Sequence, residues 1–242
     1  MATLSLLCTT DWHGRLTPAR ARRLRALREE RRALLLDCGD ALTAPNILLW
    51  PWPEGVLRRM NEAGYDAMAA GNREFFFRRS GLLRKTRPAN FPVLAANLRG
   101  RDGAPVLPPE IVLAAEGGRV GVFGLMREMI PAGSRLEAVS DLRFVPWQEA
   151  ARAAVERLAP QADWLVALSH LGPQADEELA RLCPELDLLL SGHGHPMASA
   201  TRQIGTVTVI TPAPHGREVV AVRGESDVPP GRRPFEVEVI AL

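Results

Sequence analysis

Lysine is almost missing from this sequence: Lys85 is the only one, and the other basic residues are arginine. Arg20, Arg22, Arg23, Arg25, Arg28, Arg31 and Arg32 are interleaved with apolar residues in a helical pattern. That pattern describes a solvated helix face, not a patch that tracks phosphates. The net charge of +2 is also too small to suggest a nucleic-acid polymer as partner. Cysteine is scarce. Cys8, Cys38 and Cys183 are widely separated and form no CxxC pair, which argues against a disulfide framework and favours a reducing compartment. Long hydrophobic runs are lacking too. "MATLSLLCTTDWHG" has no basic n-region, and its apolar run is too short for a signal peptide or a membrane span. The expectation is a cytoplasmic chain with no membrane partner.

What is present is ordinary for a globular protein: 46% hydrophobic and 24% charged residues in 242, enough to bury a substantial core. Short, nearly continuous apolar runs predict strands at 3–8, 33–37, 66–69, 93–96, 119–124, 163–168 and 186–190, as for strands covered on both faces. Helices fit 17–31, 53–63, 147–159 and 173–182, the last two stopping before Pro160 and Pro184. The final third alternates ("TVTVIT", "REVVAVRG", "PFEVEVIAL") and predicts antiparallel β structure. Residues 105–115 suggest a further short hairpin. No repeat or linker interrupts the pattern, so residues 1–242 are expected to form one α/β domain.

The ends of the predicted strands carry the chemistry. TLSLLC leads to Asp11 and His13, ALLLDC to Gly39-Asp40, and DAMAA to Gly71-Asn72. WLVALS leads to His170, and LDLLLS to Gly192-His193-Gly194-His195. Singly, each is a common turn or cap residue. Together they occupy equivalent places, and ligands of open α/β sheets bind beyond the carboxyl ends of the strands. Imidazoles and oxygens without thiolate suit Mn, Fe, Zn or Co. Seven ligands exceed one tetrahedral site and match two divalent metal ions sharing a carboxylate, with Asp40 as the natural bridge. Such a pair points to hydrolysis of a phosphate ester.

DxH, GD, GN, a later H and GHxH, in this order, resemble the calcineurin-like metallophosphoesterases. "TDWHGR", "LLLDCGD", "GYDAMAAGNREF", "FPVLAANL", "VGVFGL", "LVALSHLG" and "DLLLSGHGHP" look more closely like the catalytic domain of bacterial 5′-nucleotidases and 2′,3′-cyclic phosphodiesterases, from about residue 3 to about residue 224. The resemblance implies a four-layer α/β/β/α sandwich with mixed sheets and a dinuclear site whose metal-bridging hydroxide attacks a phosphate mono- or diester, a nucleotide-like one included. By position, Asp11, His13, Asp40 and His195 would hold one ion; Asp40, Asn72, His170 and His193 would hold the other. Manganese is among the expected metals, a small-molecule phosphoester is the expected partner, and self-association is left open.

Two departures stand out. Where the family reads GNHEFD, this chain has Gly71-Asn72-Arg73-Glu74-Phe75-Phe76. The family's histidine there stabilises the transition state or protonates the leaving oxygen, and the Asp orients it. Arginine cannot be a general acid near neutral pH, but it can hold phosphate bidentately. Arg73 and Asn72 are therefore the expected catalytic contacts, with turnover reduced. The alternative is a non-catalytic metal-binding relative that takes a phosphorylated ligand or a protein partner. The nucleotidase relatives also carry a C-terminal substrate domain, which the expectation for these 242 residues omits. Substrate contacts would then come from Trp50, Trp52 or His215, although packing is the commoner role for such tryptophans and an exposed turn the commoner place for such a histidine.

Overall fold

The computed structural model describes residues 3–43, 52–225 and 233–242. In chain order the elements are β1 (Thr3–Thr9), α1 (Pro18–Arg31), β2 (Leu34–Asp37), α2 (Gly55–Ala63), β3 (Ala67–Ala69), α3 (Arg79–Thr86), β4 (Val93–Leu94), β5 (Leu98–Gly100), β6 (Glu110–Ala115) and β7 (Gly118–Met126). They continue with α4 (Arg135–Val139), β8 (Leu142–Phe144), α5 (Trp147–Leu158), β9 (Trp164–His170), α6 (Pro173–Leu182), β10 (Leu188–Ser191), β11 (Ala200–Ile204), β12 (Val207–Thr211), β13 (Glu218–Glu225) and β14 (Phe235–Ala241).

Two six-stranded mixed sheets carry the fold, ordered β14-β13-β1-β2-β3-β4 and β11-β12-β10-β9-β7-β6. In the first, β1 to β4 run parallel and β13 and β14 are antiparallel additions. In the second, β7, β9, β10 and β12 are parallel, with β6 and β11 antiparallel at the edges. Strand periodicity then makes the layers. Leu6 and Cys8 of β1 meet Val166, Leu168 and Leu190 of the opposite sheet. Leu7, between them, turns outward to the cluster that includes Leu24, Val56 and Met60 of α1 and α2. On the other outer face Leu165, Ala167 and Leu189 pack with Ala151, Val155 and Leu179 of α5 and α6. The result is the expected helix–sheet–sheet–helix sandwich, and burial on both faces explains why the strands read as unbroken apolar runs.

Some elements differ from expectation. The 105–115 segment is not a hairpin of its own, because β6 pairs with β7 and the reversal falls at Glu116-Gly117. The exposed, polar β11 has no apolar pattern to reveal it and is defined by pairing with β12. Cys8 and Cys38, distant in sequence, bring their sulfurs to 3.6 Å. Among the described residues no helix is long and apolar enough to cross a membrane.

Candidate metal centre

All parallel strands of the two sheets deliver their loops to one edge, and there the backbone is strained in a telling way. Among the described residues, non-glycine positions with positive φ are Asp11, His13, Asp40, His193, His195 and His215, together with Arg32 at the end of α1. Left-handed backbone costs an L-residue roughly 1–3 kcal/mol and persists where surrounding structure enforces it, commonly at functional sites. Here the loops enforce it on one another. Asp11 and His13 donate their backbone N–H to Gly39 O and Asp40 O at 2.9 and 3.0 Å. The N–H of His193 donates to Asp11 Oδ2 at 3.1 Å, and the same oxygen accepts from Thr10 Oγ1 at 2.7 Å.

Asp40 is central. Its Oδ1 lies 3.4 Å from His170 Nε2 and its Oδ2 lies 3.4 Å from His13 Nε2, so one carboxylate faces an imidazole on each side. Asp11 Oδ1 is 2.8 Å from His195 Nε2 and 3.5 Å from His13 Nε2. Asn72 Oδ1 is 3.2 Å from His170 Nε2. His170 is fully buried, and its Nδ1 donates to Cys38 O at 2.7 Å. A carbonyl only accepts, so Nδ1 carries a proton and Nε2 is the nitrogen turned to the oxygens of Asp40 and Asn72, where an ion would take the place of its proton. Gly39 and Gly192 make room for this contact: a Cβ on either would lie 2.9 Å from His170 Nδ1.

The electrostatics call for cations. Burial alone would raise the Asp11 and Asp40 carboxyls, but the adjacent imidazoles, His13 and His195 beside Asp11 and His13 and His170 beside Asp40, hold both well below the usual range. Burial opposes charge on His170, yet contact with Asp40, reinforced by Asp11, pushes its pKa up to about 9. His13 Nε2 is fully enclosed and has no hydrogen bond. Its neighbours are carboxylate oxygens, so the donor set fits a divalent ion that would replace the protons held there. Among the described residues, two triads have donor atoms mutually within 4.8 Å: Asp11–His13–His195 and Asp11–Asp40–His170. Asn72 adjoins the second.

His193 stands slightly apart. Its ring centroid is 5.1 Å from that of His170, and its Nε2 meets Arg127 Nη1 at 2.9 Å. Arg73 does not pair with Glu74: its Nη1 donates to Thr43 O at 2.6 Å and its Nε lies 3.6 Å from Asp40 Oδ2. His215, expected in an exposed turn, is instead partly buried. Its ring lies 4.9 Å from His13 and 5.7 Å from His195, and both its N–H and its Nδ1 bond Asp11 O. All five histidines thus gather at this edge. Trp52 is 50% exposed and carries the Arg84 guanidinium over its ring at 5.2 Å; Trp50 lies outside the described residues.

The supporting residues escaped sequence reasoning. Glu74, fully buried, accepts the backbone N–H of Asp40, Gly71 and Leu42 at 2.9, 2.7 and 3.1 Å, tying together the loops that carry the candidate ligands Asp40 and Asn72. Lys85, also fully buried, donates to Arg73 O and, at 3.1 Å, to Phe75 O. Its standing as the only lysine was a signal that could have found it.

The calcineurin-like phosphoesterase model matches residues 4–197. The chain belongs to that family. Its matches include the 5′-nucleotidase of Vibrio cholerae, 29% identical over an alignment of 219 residues that covers 78% of this chain and 40% of the relative. Protein 5NUC of Lutzomyia longipalpis is 30% identical over 174 residues, 67% of this chain and 29% of that protein. The chain therefore spans less than half the length of these curated family members. In fold it resembles the calcineurin-like phosphoesterase YfkN of Bacillus subtilis, with a TM-score of 0.78 at 20% identity, covering 99% of this chain and 91% of that one. The 5′-nucleotidase precursor of Thermus thermophilus gives a TM-score of 0.76 at 24% identity, covering 99% and 54%.

Proposed function

We propose that this chain hydrolyses the phosphate ester of a small, nucleotide-like molecule using two divalent ions. The observation that carries the reading is the Asp40 carboxylate, which presents one oxygen toward His13 and the other toward His170. Asp11, His13, Asp40 and His195 would hold one ion; Asp40, Asn72, His170 and His193 would hold the other. Bound Mn, Fe, Zn or Co ions acidify water near neutral pH and neutralise charge on phosphoryl oxygens. The chain's own residues do the positioning. Cys38 O fixes the His170 tautomer, and His215 forms a wall against the rings of His13 and His195. Arg73, beside Asp40, holds a phosphoryl oxygen and stabilises its charge. It cannot donate a proton, so the chain favours esters with good leaving groups. General-acid help is worth on the order of 10²–10⁴ in rate.

The wide sequence spacing of Cys8, Cys38 and Cys183, with no CxxC pair, supports a reducing compartment such as the cytoplasm. The test is native metal content, followed by a phosphoester panel with added Mn²⁺, Co²⁺, Zn²⁺ or Mg²⁺. About two ions per chain and turnover of p-nitrophenyl phosphate are expected, with Arg73→His extending activity to poorer leaving groups. Bound metal without turnover in either protein would refute hydrolysis.

A further inference from the structure

A second arginine reaches the ligand cluster from a strand end that the metal reading does not use. β7 stops at Met126, which pairs in register with His170 of β9, so Arg127 is the first residue beyond β7 at the ligand-bearing edge. Its starting point is rigid. Buried Asn97 donates its amide to Met126 O at 2.8 Å and accepts Met126 N–H at 3.1 Å. From there the exposed Arg127 extends Nη1 to His193 Nε2 at 2.9 Å. Guanidinium only donates, so it rests on an imidazole lone pair. Arg28, Arg31, Arg152 and Arg157 each hold a carboxylate, whereas Arg127 makes no ion pair among the described residues. On the Asp40 side, Arg73 Nε is enclosed and without a hydrogen bond. Two guanidinium groups therefore approach the same cluster from the ends of β3 and β7, each with donors to spare.

We propose that Arg127 is a specificity-determining residue that holds a terminal oxygen of the substrate's phosphoryl group, and that with Arg73 it selects dianionic phosphomonoesters over monoanionic diesters. The inference rests on the phosphoester reading of the site. A monoester presents three terminal oxygens and a charge of about −1.5 to −2 near neutral pH, whereas a diester has two such oxygens and a single charge. Two arginines and the expected ions match the three oxygens and near-double charge of a monoester better than the two oxygens and single charge of a diester. The donor that His193 Nε2 now occupies is free to move to the stronger, charged acceptor.

The experiment compares wild type, Arg127→Met and Arg127→Lys for metal content, for calorimetric binding of inorganic phosphate, and for hydrolysis of p-nitrophenyl phosphate and bis(p-nitrophenyl) phosphate. Loss of one charge-assisted contact is expected to raise the monoester KM about tenfold to a hundredfold at nearly constant kcat, and to weaken phosphate binding equally. Metal content and the diester KM stay unchanged, and lysine restores part of the loss. Equal damage to both esters, or loss of metal with the arginine, would mean that Arg127 acts through His193, and overturns the proposal. If wild type turns over neither ester, hydrolysis fails as a function while phosphate binding still decides Arg127. Equal phosphate affinity in wild type and Arg127→Met rejects the assignment regardless of turnover.

Discussion

Asp176 gives the sharpest quantitative test of how the ligand loops are held. It lies in the first turn of α6, fully buried, and its two carboxylate oxygens accept the hydroxyls of Ser169 and Ser191. Those serines immediately precede His170 and the Gly192-His193 turn, so one side chain joins the ends of β9 and β10. Burial outweighs both hydroxyl bonds and raises the carboxyl to about 6 from an ordinary value of 3.8. The folded protein therefore binds this proton more tightly than the unfolded chain does. The group's contribution is greatest below about pH 4, falls as pH rises to about 6, and stays lost above that. A shift of about two units corresponds to about 3 kcal/mol. An asparagine in place of Asp176 does not titrate, and its amide can accept from one serine and donate to the other. Denaturant unfolding of both proteins from about pH 4 to about pH 7, with chelator present, should show Asp176→Asn gaining on wild type by about 3 kcal/mol across that window. Taking the difference cancels the other titrating groups. Parallel curves would refute the reasoning, because they would mean that the buried carboxyl ionises as freely as an exposed one.

Glu74→Ala leaves the N–H groups of Asp40, Gly71 and Leu42 without their acceptor. At roughly 1–3 kcal/mol each, and with some relief because burial and Asp40 raise the Glu74 carboxyl, unfolding should show a net loss of about 3 kcal/mol. A loss below about 1 kcal/mol would contradict the tie between the two loops. Gly192→Ala places a methyl 2.9 Å from both Cys38 O and His170 Nδ1. Metal titration of this variant should show affinity reduced on the order of 10–100-fold, as for other losses of groups that orient a ligand, and native affinity would refute the role given to that contact.

The sheets, and the gathering of candidate ligands at their shared edge, were legible in the sequence for one reason. Each strand is buried on both faces, so it reads as an apolar run, and the residues following that run stand at the sheet edge. Leu36–Cys38 followed by Gly39-Asp40, or Leu188–Leu190 followed by Ser191-Gly192-His193, announce both element and site. α3 and β11 are polar or charged and owe their place to neighbours, so no local pattern marks them. The left-handed backbone at Asp11, His13 and His195 is likewise imposed by contacts between loops distant in the chain. His215 read as an ordinary loop histidine because nothing local shows that Asp11 O lies above it. Arg127 was hidden by composition, since one more arginine is unremarkable in a chain where nearly every basic residue is arginine.

The substitutions at 73 and 76 show why a metal framework and an acid catalyst can separate. The Asn72 loop is held by its backbone: Glu74 accepts from Gly71, Lys85 donates to the carbonyls of Arg73 and Phe75, and the Arg73 N–H gives a 2.7 Å bond to Asp40 Oδ1. None of these contacts uses the side chain of residue 73 or 76. Phe76 turns into the core and packs on Gly81, where any Cβ would enter its ring. Exchanging a His–Asp pair for Arg73 and Phe76 would therefore change what faces the proposed substrate without moving Asn72 or Asp40. It exchanges a proton donor for a fixed cation. The chemistry that remains is charge stabilisation, which is the property expected to depend on Arg73 and Arg127 and to separate one class of phosphoester from the other.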